Sequence, residues 1–156
     1  MAFGSLSLKA RALHLLARRE HSRSELQTKL ARHVQEGDDL AALLDELQAR
    51  DFINPQRVAE SVVHQRAGRF GTQRVLQELR RKGLDDDLVR ATAAQLADTE
   101  LQRARAVWRQ RFGSAPPPAT PQERARQMRF LAARGFAADV VRRVVPGRGY
   151  DGDELE

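Results

Sequence analysis

The chain has 156 residues, 41% of them hydrophobic, 31% charged and 5% aromatic, with a formal net charge of +6 and no cysteine. That length holds one domain or a short row of small units, and excludes a TIM barrel or a dinucleotide-binding enzyme with a separate substrate domain. The missing cysteines exclude a disulfide framework, a zinc ribbon and a thiolate nucleophile, and a cytosolic protein is the expectation.

Almost every segment carries helical periodicity, and no period-2 alternation or hairpin dipeptide interrupts it. The predicted fold is all-α: nine helices in three tandem three-helix repeats, forming an elongated, curved array. The first unit is expected over residues 1–53. It begins near Leu6 to Arg19, with Leu6, Leu13 and Leu16 on one stripe. Ser22 and Glu25 have capping-box spacing, and the helix they open carries Leu26, Leu30 and Val34. The run Glu36-Gly37-Asp38-Asp39 breaks the pattern, and Leu40, Leu43, Leu44 and Leu47 mark a third helix.

The second unit is expected over 54–97. Asn54 caps and Pro55 occupies the first helical position, where no amide bond is lost. Val58 and Val62 follow, then the turn Gly68-Arg69-Phe70-Gly71-Thr72. Val75, Leu76 and Leu79 line the next helix, which ends at Lys82-Gly83 with a basic last turn and a glycine suited to a left-handed cap. Asp85, Asp86 and Asp87 open the third helix of this unit. The third unit is expected over 98–146, with Leu101, Ala104, Trp108 and Phe112 on one face, a stiff linker through Pro116-Pro117-Pro118, and a helix with Met128 and Leu131. Residues 147–156 are expected to be a disordered acidic tail.

The units read as copies, the first matching more loosely through Glu25-Leu26-x3-Leu30 and then Leu40. Leu79-x-x-Lys82-Gly83-Leu84 and Leu131-x-x-Arg134-Gly135-Phe136 stand a constant distance apart, as do Leu76 and Met128, Asp87 and Asp139, and Arg90 and Arg142. A period of about 50 residues identifies a short helical array whose concave side is a binding surface.

Chemistry is absent from the motifs. His14, His21, His33 and His64 have no metal spacing, Ser22 is already a cap, and Gly68-Arg69-Phe70-Gly71 lacks the strand that a phosphate loop follows. No enzyme, metal or cofactor is expected. No apolar run approaches the roughly 20 residues that span a bilayer, so no membrane partner is expected either.

Charge is the positive signal. Twenty-four of the 27 cationic residues are arginine, and residues 101–150 carry eleven cations against two acids. Guanidinium groups make bidentate contacts to phosphate and carboxylate, so the clustering points to an anionic partner. The candidate contacts in the middle unit are Arg66, Arg69, Arg74, Arg80, Arg81 and Lys82. On the Trp108 helix, which also carries Arg111, they are Arg103, Arg105 and Arg109. Beyond the linker they are Arg124, Arg126, Arg129 and Arg134. Arg74, Arg80, Arg81, Lys82, Arg126, Arg129 and Arg134 are expected to be exposed, whereas Arg57 and Glu25 read as caps or braces. Trp108, Phe112, Phe130 and Phe136 are candidates for stacking on bases or for core packing. Trp108 and Phe112, four apart on the apolar stripe, read as core, whereas Phe130 faces away from Met128 and Leu131 and is the one left open between the two. Helix pairs joined by glycine turns are also the ingredients of a helix-turn-helix protein acting on DNA directly, and that is the alternative.

Three motifs resemble those of the RecX family, bacterial regulators of the recombinase RecA. They are Arg18-Arg19-Glu20-His21-Ser22-x-x-Glu25-Leu26-x-x-Lys29-Leu30, then Phe70-Gly71-x3-Val75-x-x-Glu78-Leu79-x-x-Lys82-Gly83-Leu84, then Arg129-Phe130-Leu131-x-x-Arg134-Gly135-Phe136. They occur in the family's order across residues 6–146. Asn54-Pro55 stands where the family usually has acids, and Val58 where it usually has phenylalanine. The resemblance implies a non-enzymatic negative regulator that binds the groove of the RecA filament on single-stranded DNA. It restrains ATP hydrolysis, strand exchange and the coprotease activity of the SOS response. The resemblance also implies weak direct DNA binding in some members. A monomer is expected.

Overall fold

The computed structural model describes residues 6–147, and among them every regular element is helical. The elements are α1 (Leu8–Arg18), α2 (Arg23–Leu30), a 3-10 turn (Ala31–His33), α3 (Leu40–Ala49), α4 (Pro55–Arg66), α5 (Thr72–Arg81), α6 (Asp86–Ala97), α7 (Glu100–Phe112), α8 (Pro121–Ala133) and α9 (Ala138–Val144). They pack in three tandem three-helix units.

Short polar side chains set the helix starts. Ser7, Ser22, Asp39, Asn54, Asp85 and Thr120 each accept a hydrogen bond from an amide in the first turn of the helix that follows. Each such cap stabilises by about 1 kcal/mol. Pro55 and Pro121 occupy the first helical turn as their fixed φ favours. Gly83 and Gly135 end the second helix of units 2 and 3 at φ of 76° and 93°. There the amides of Leu84 and Phe136 reach back to the carbonyls of Leu79 and Leu131, both at 3.3 Å.

Each unit has its own core. Leu8, Ala12, Leu26, Leu30, Leu44, Leu47 and Ile53 form the first. Ala59, Val62, Val75, Leu76, Leu79, Val89 and Leu96 form the second. Ala104, Val107, Leu131, Phe136, Val140, Val141, Val144 and Val145 form the third. Burying one such aliphatic side chain stabilises by roughly 1.5–3 kcal/mol, and no unit buries many, so the junctions between units matter.

Two expectations on apolar faces need correction. Leu6 precedes α1 and is 48% exposed, so Leu8 and Ala12 carry the buried stripe and Leu13 and Leu16 flank it. Val34 lies beyond the 3-10 turn that tightens the end of α2, and is exposed. The acidic tail falls, from residue 148 onward, outside the described residues.

Candidate partner-binding surface

The junction of units 1 and 2 is neutralised. Ser22 and Glu25 form the capping box, and the Glu25 carboxylate also accepts from Arg19 at 2.7 Å and from Lys82 of α5 at 3.1 Å. Burial works to raise the Glu25 pKa, but the bonds from Arg19, the Ser22 amide and Lys82 together outweigh it and hold it at about 2. Lys82 is therefore a brace with a side chain only 16% exposed, which corrects its expected place on the open surface. Beneath it His21 is buried. Its Nδ1 lies 3.1 Å from the Arg19 carbonyl and its Nε2 2.9 Å from the Lys29 ammonium. An ammonium has only hydrogens to offer, so Nε2 accepts, Nδ1–H donates and the ring is neutral. Burial lowers its pKa in the same sense. Arg57 ties the two units from the other side, donating to Glu20 at 3.0 Å and to Asp51 at 2.8 Å.

The junction of units 2 and 3 is an interlock of glycines. The Gly71 amide donates to the Arg134 carbonyl at 2.7 Å, and the Gln73 amide to the Gly135 carbonyl at 3.2 Å. A Cβ on Gly71 would stand 2.3 Å from the backbone of Gly135 and Phe136, so only glycine permits this approach. Glu100, at the start of α7, is buried and accepts from the Thr72 amide at 3.3 Å and the Ala137 amide at 3.4 Å. Those amides open α5 and α9, neither of which has a capping side chain of its own. One carboxylate serves both starts.

Arg103 needs correction as a partner contact. Its guanidinium donates to the carbonyls of Ala67, Phe70 and Leu96 and to the hydroxyl of Thr72, at 2.8 to 3.2 Å. The Ala67 and Phe70 carbonyls lie in the turn after α4, and the Leu96 carbonyl, at the end of α6, also accepts from the Thr99 amide and hydroxyl. Arg103 is thus a structural clasp with no donors facing outward.

Arg66, Arg69, Arg74, Arg134 and Arg111 make a band across this junction, held on phenyl rings. Phe70 stands at its centre, with the guanidinium carbons of Arg74, Arg134, Arg69 and Arg66 at 4.6, 5.4, 5.9 and 6.0 Å from the ring centroid. Arg134 also stands over Phe130 at 5.0 Å, and Arg111 reaches Phe130 and Phe112 at 5.8 and 5.9 Å. Phenyl faces hold guanidinium planes without neutralising them. Arg74 and Arg134 are further positioned by the carbonyls of Ala133 and Arg69. Arg66 lies 3.2 Å from Glu78, and Arg81 lines the same small cleft, of about 160 Å³.

Arg69, Arg74, Arg80, Arg81, Arg105, Arg109, Arg126 and Arg129 are exposed. Arg66, Arg124 and Arg134 are half-buried. Arg124 is turned along α8, donating to the Met128 sulfur at 3.2 Å. Among the described residues, every ion pair lies in units 1 and 2, and no arginine of unit 3 has a carboxylate within 4 Å. Spacing alone did not single out Arg111 or the central place of Phe70, because the bridge between them crosses two units. The motif Arg134-Gly135-Phe136 with Phe70-Gly71 is the signal that joins them.

Phe136 is core, as expected, and Trp108 is half-buried with its indole N–H on Gln127 at 2.8 Å. Phe130 packs edge-on to Phe112 at 5.4 Å and forms part of the band. Among the described residues no three metal-ligating side chains converge, and no helix is long and apolar enough to cross a membrane.

Comparisons with known proteins agree with this architecture. Family models for the first, second and third three-helix domains of RecX match residues 9–47, 56–92 and 98–145. The chain is 52% identical over 152 residues to the regulatory protein RecX of Ralstonia nicotianae, covering 96% of this chain and 94% of that one. It is 54% identical over 140 residues to that of Leptothrix cholodnii, covering 90% and 88%. The crystal structure of RecX from Lactobacillus salivarius superposes with a TM-score of 0.73 at 19% identity, covering 88% of this chain and 92% of that one, a likeness of fold.

Proposed function

The chain belongs to the RecX family of regulatory proteins, and we propose that it is a non-catalytic negative regulator of the RecA recombinase, binding the groove of the RecA filament on single-stranded DNA. The observation that carries this reading is the arginine surface of unit 3 and of the Phe70 junction, which has exposed guanidinium groups and, among the described residues of unit 3, no carboxylate to quench them. Such a surface suits acidic protein faces and exposed phosphates alike.

The mechanism follows from shape and valence. Units joined by rigid junctions present several weak cationic contacts at fixed spacing, and contacts on neighbouring protomers add through effective concentration. A row of units lying in the filament groove hinders the protomer movements of ATP turnover and blocks the approach of a second DNA. Inhibition of ATP hydrolysis, strand exchange and coprotease activity then share one cause. We divide the chain at residues 53, 97 and 146, place its action in the cytosol, and assign Arg69, Arg74, Arg80, Arg81, Arg105, Arg109, Arg126 and Arg129 as the contacts, with half-buried Arg66, Arg124 and Arg134 beside them.

The test is a titration of RecA ATPase on single-stranded DNA with this protein added to preformed filaments. Inhibition approaching completion at near-stoichiometric amounts is expected. Unchanged ATPase together with tight, sequence-selective binding to naked duplex DNA would favour the helix-turn-helix alternative.

A further inference from the structure

The cations of unit 1 divide into two sets. Lys9, Arg19, Arg23 and Arg50 each have a carboxylate partner: Glu46, Glu25, Asp45 and again Glu46. Arg11, Arg18, Lys29 and Arg32 have none among the described residues. Lys29 and Arg32 instead donate to imidazole nitrogens, of His21 at 2.9 Å and His33 at 3.2 Å. These four cations line one groove, between α1 and the end of α2 with its 3-10 turn.

The groove has a volume of about 610 Å³, within the range of binding clefts. Its floor is aliphatic, made by Leu15 and Leu30, and half-exposed Leu6 stands at its rim. No acid and no phenylalanine, tyrosine or tryptophan lines it; its rings are the imidazoles of His14 and His33, the second of which accepts from Arg32. Unit 1 is nearly neutral overall, with eight Lys/Arg against seven Asp/Glu in residues 1–50, so this one-sided charge is a matter of arrangement and not of composition.

We propose that this groove is a docking site for an acidic peptide segment carrying an aliphatic side chain between its carboxylates. The carboxylates meet Arg11, Arg18 and Arg32, and the aliphatic group covers Leu6 and Leu15. Charge complementarity selects the acidic segment. The aliphatic floor selects a peptide over nucleic acid, since a nucleic acid strand brings no aliphatic side chain to Leu6, Leu15 and Leu30. The site lies at the opposite end of the chain from the arginines of unit 3, and the proposal does not rest on the RecA reading.

The experiment is fluorescence anisotropy on the full chain with three labelled probes: a peptide of acidic residues interspersed with leucine, the same peptide with serine for leucine, and an oligothymidylate. The leucine peptide is expected to bind most tightly, with the serine form weaker by roughly tenfold. Arg18→Glu with Arg32→Glu should weaken the leucine peptide by roughly tenfold or more, whereas Arg126→Glu with Arg129→Glu should leave it within about twofold. Leu6→Ser, a change on the exposed rim, should weaken only the leucine peptide. The proposal is overturned if the peptides bind alike, if the unit 3 reversals abolish peptide binding and the unit 1 reversals do not, or if the unit 1 reversals affect the oligothymidylate alone. Circular dichroism confirms that each variant keeps its helices.

Discussion

Lys82 and Arg134 hold the same position in successive units, one residue before the left-handed glycine that ends the second helix, and they meet opposite surroundings. Lys82 faces Glu25, the third residue of α2. Arg134 faces the start of α5, where the third residue is Arg74, and both stand over Phe70. The repeated junction is thus an ion pair in the first case and a pair of cations shared across a phenyl ring in the second. This is why the unneutralised surface begins at the junction of units 2 and 3.

The Glu25 carboxylate joins two units, so acid should separate them. Its pKa of about 2 in the folded chain lies below the ordinary 4.5. Its contribution is complete above about pH 4.5 and is lost as pH falls toward 2. Denaturant midpoints measured across this window should fall for the parent chain. Glu25→Gln should cost about 1–3 kcal/mol at neutral pH and remove this part of the pH dependence.

His21 should resist protonation. Its burial and the Lys29 donor keep the ring neutral, so its pKa lies below the ordinary 6.5. As pH drops below 6.5 the unfolded chain takes up a proton that the folded one refuses, and stability declines. Histidine titration by NMR should show the His21 ring titrating below the usual histidine range, in its Nδ1–H form at neutral pH.

The glycine interlock is open to a direct steric test. Gly71→Ala forces a methyl group into the backbone of Gly135 and Phe136 and should cost more than about 2 kcal/mol, because neither backbone can yield. Gly68→Ala in the same turn meets nothing within 4 Å and should be neutral or slightly stabilising. Thermal unfolding of the two variants side by side checks both.

Local features of the fold were legible in the sequence. Ser22 with Glu25, Asn54 with Pro55, and Gly83 with Gly135 announce themselves by residue type and spacing, because a cap involves neighbours a few residues apart. The site was legible only in part. Composition marks unit 3 as cationic, but it does not separate Arg103, turned inward onto carbonyls, from Arg105, which is exposed. That distinction depends on where α4 and α6 end, up to 36 residues away. The fates of Lys82 and Arg134 likewise depend on residue 25 in one case and residue 74 in the other. Leu6 and Val34 fit the helical period, but the helices do not extend to them.

Glu100 and Arg103 should behave as stability residues. Glu100→Gln weakens the caps of both α5 and α9, and should cost about 1.5–3 kcal/mol by the loss of charge-assisted bonds. Arg103→Ala leaves the carbonyls of Ala67 and Phe70 without their donor and should cost at least as much. Chemical denaturation measures both, and neither should change the charge dependence of partner binding beyond what unfolding explains.

The most direct measurement compares two double reversals of equal charge in the RecA ATPase assay on single-stranded DNA. Arg126→Glu with Arg129→Glu changes the exposed face of α8, and Arg50→Glu with Arg90→Glu changes exposed positions of units 1 and 2 outside the band. The unit 3 pair should raise the concentration for half-inhibition by roughly tenfold or more, with the other pair close to the parent chain. Full inhibition by the unit 3 pair, or an equal loss in both, would contradict a localised arginine surface as the part that grips the filament.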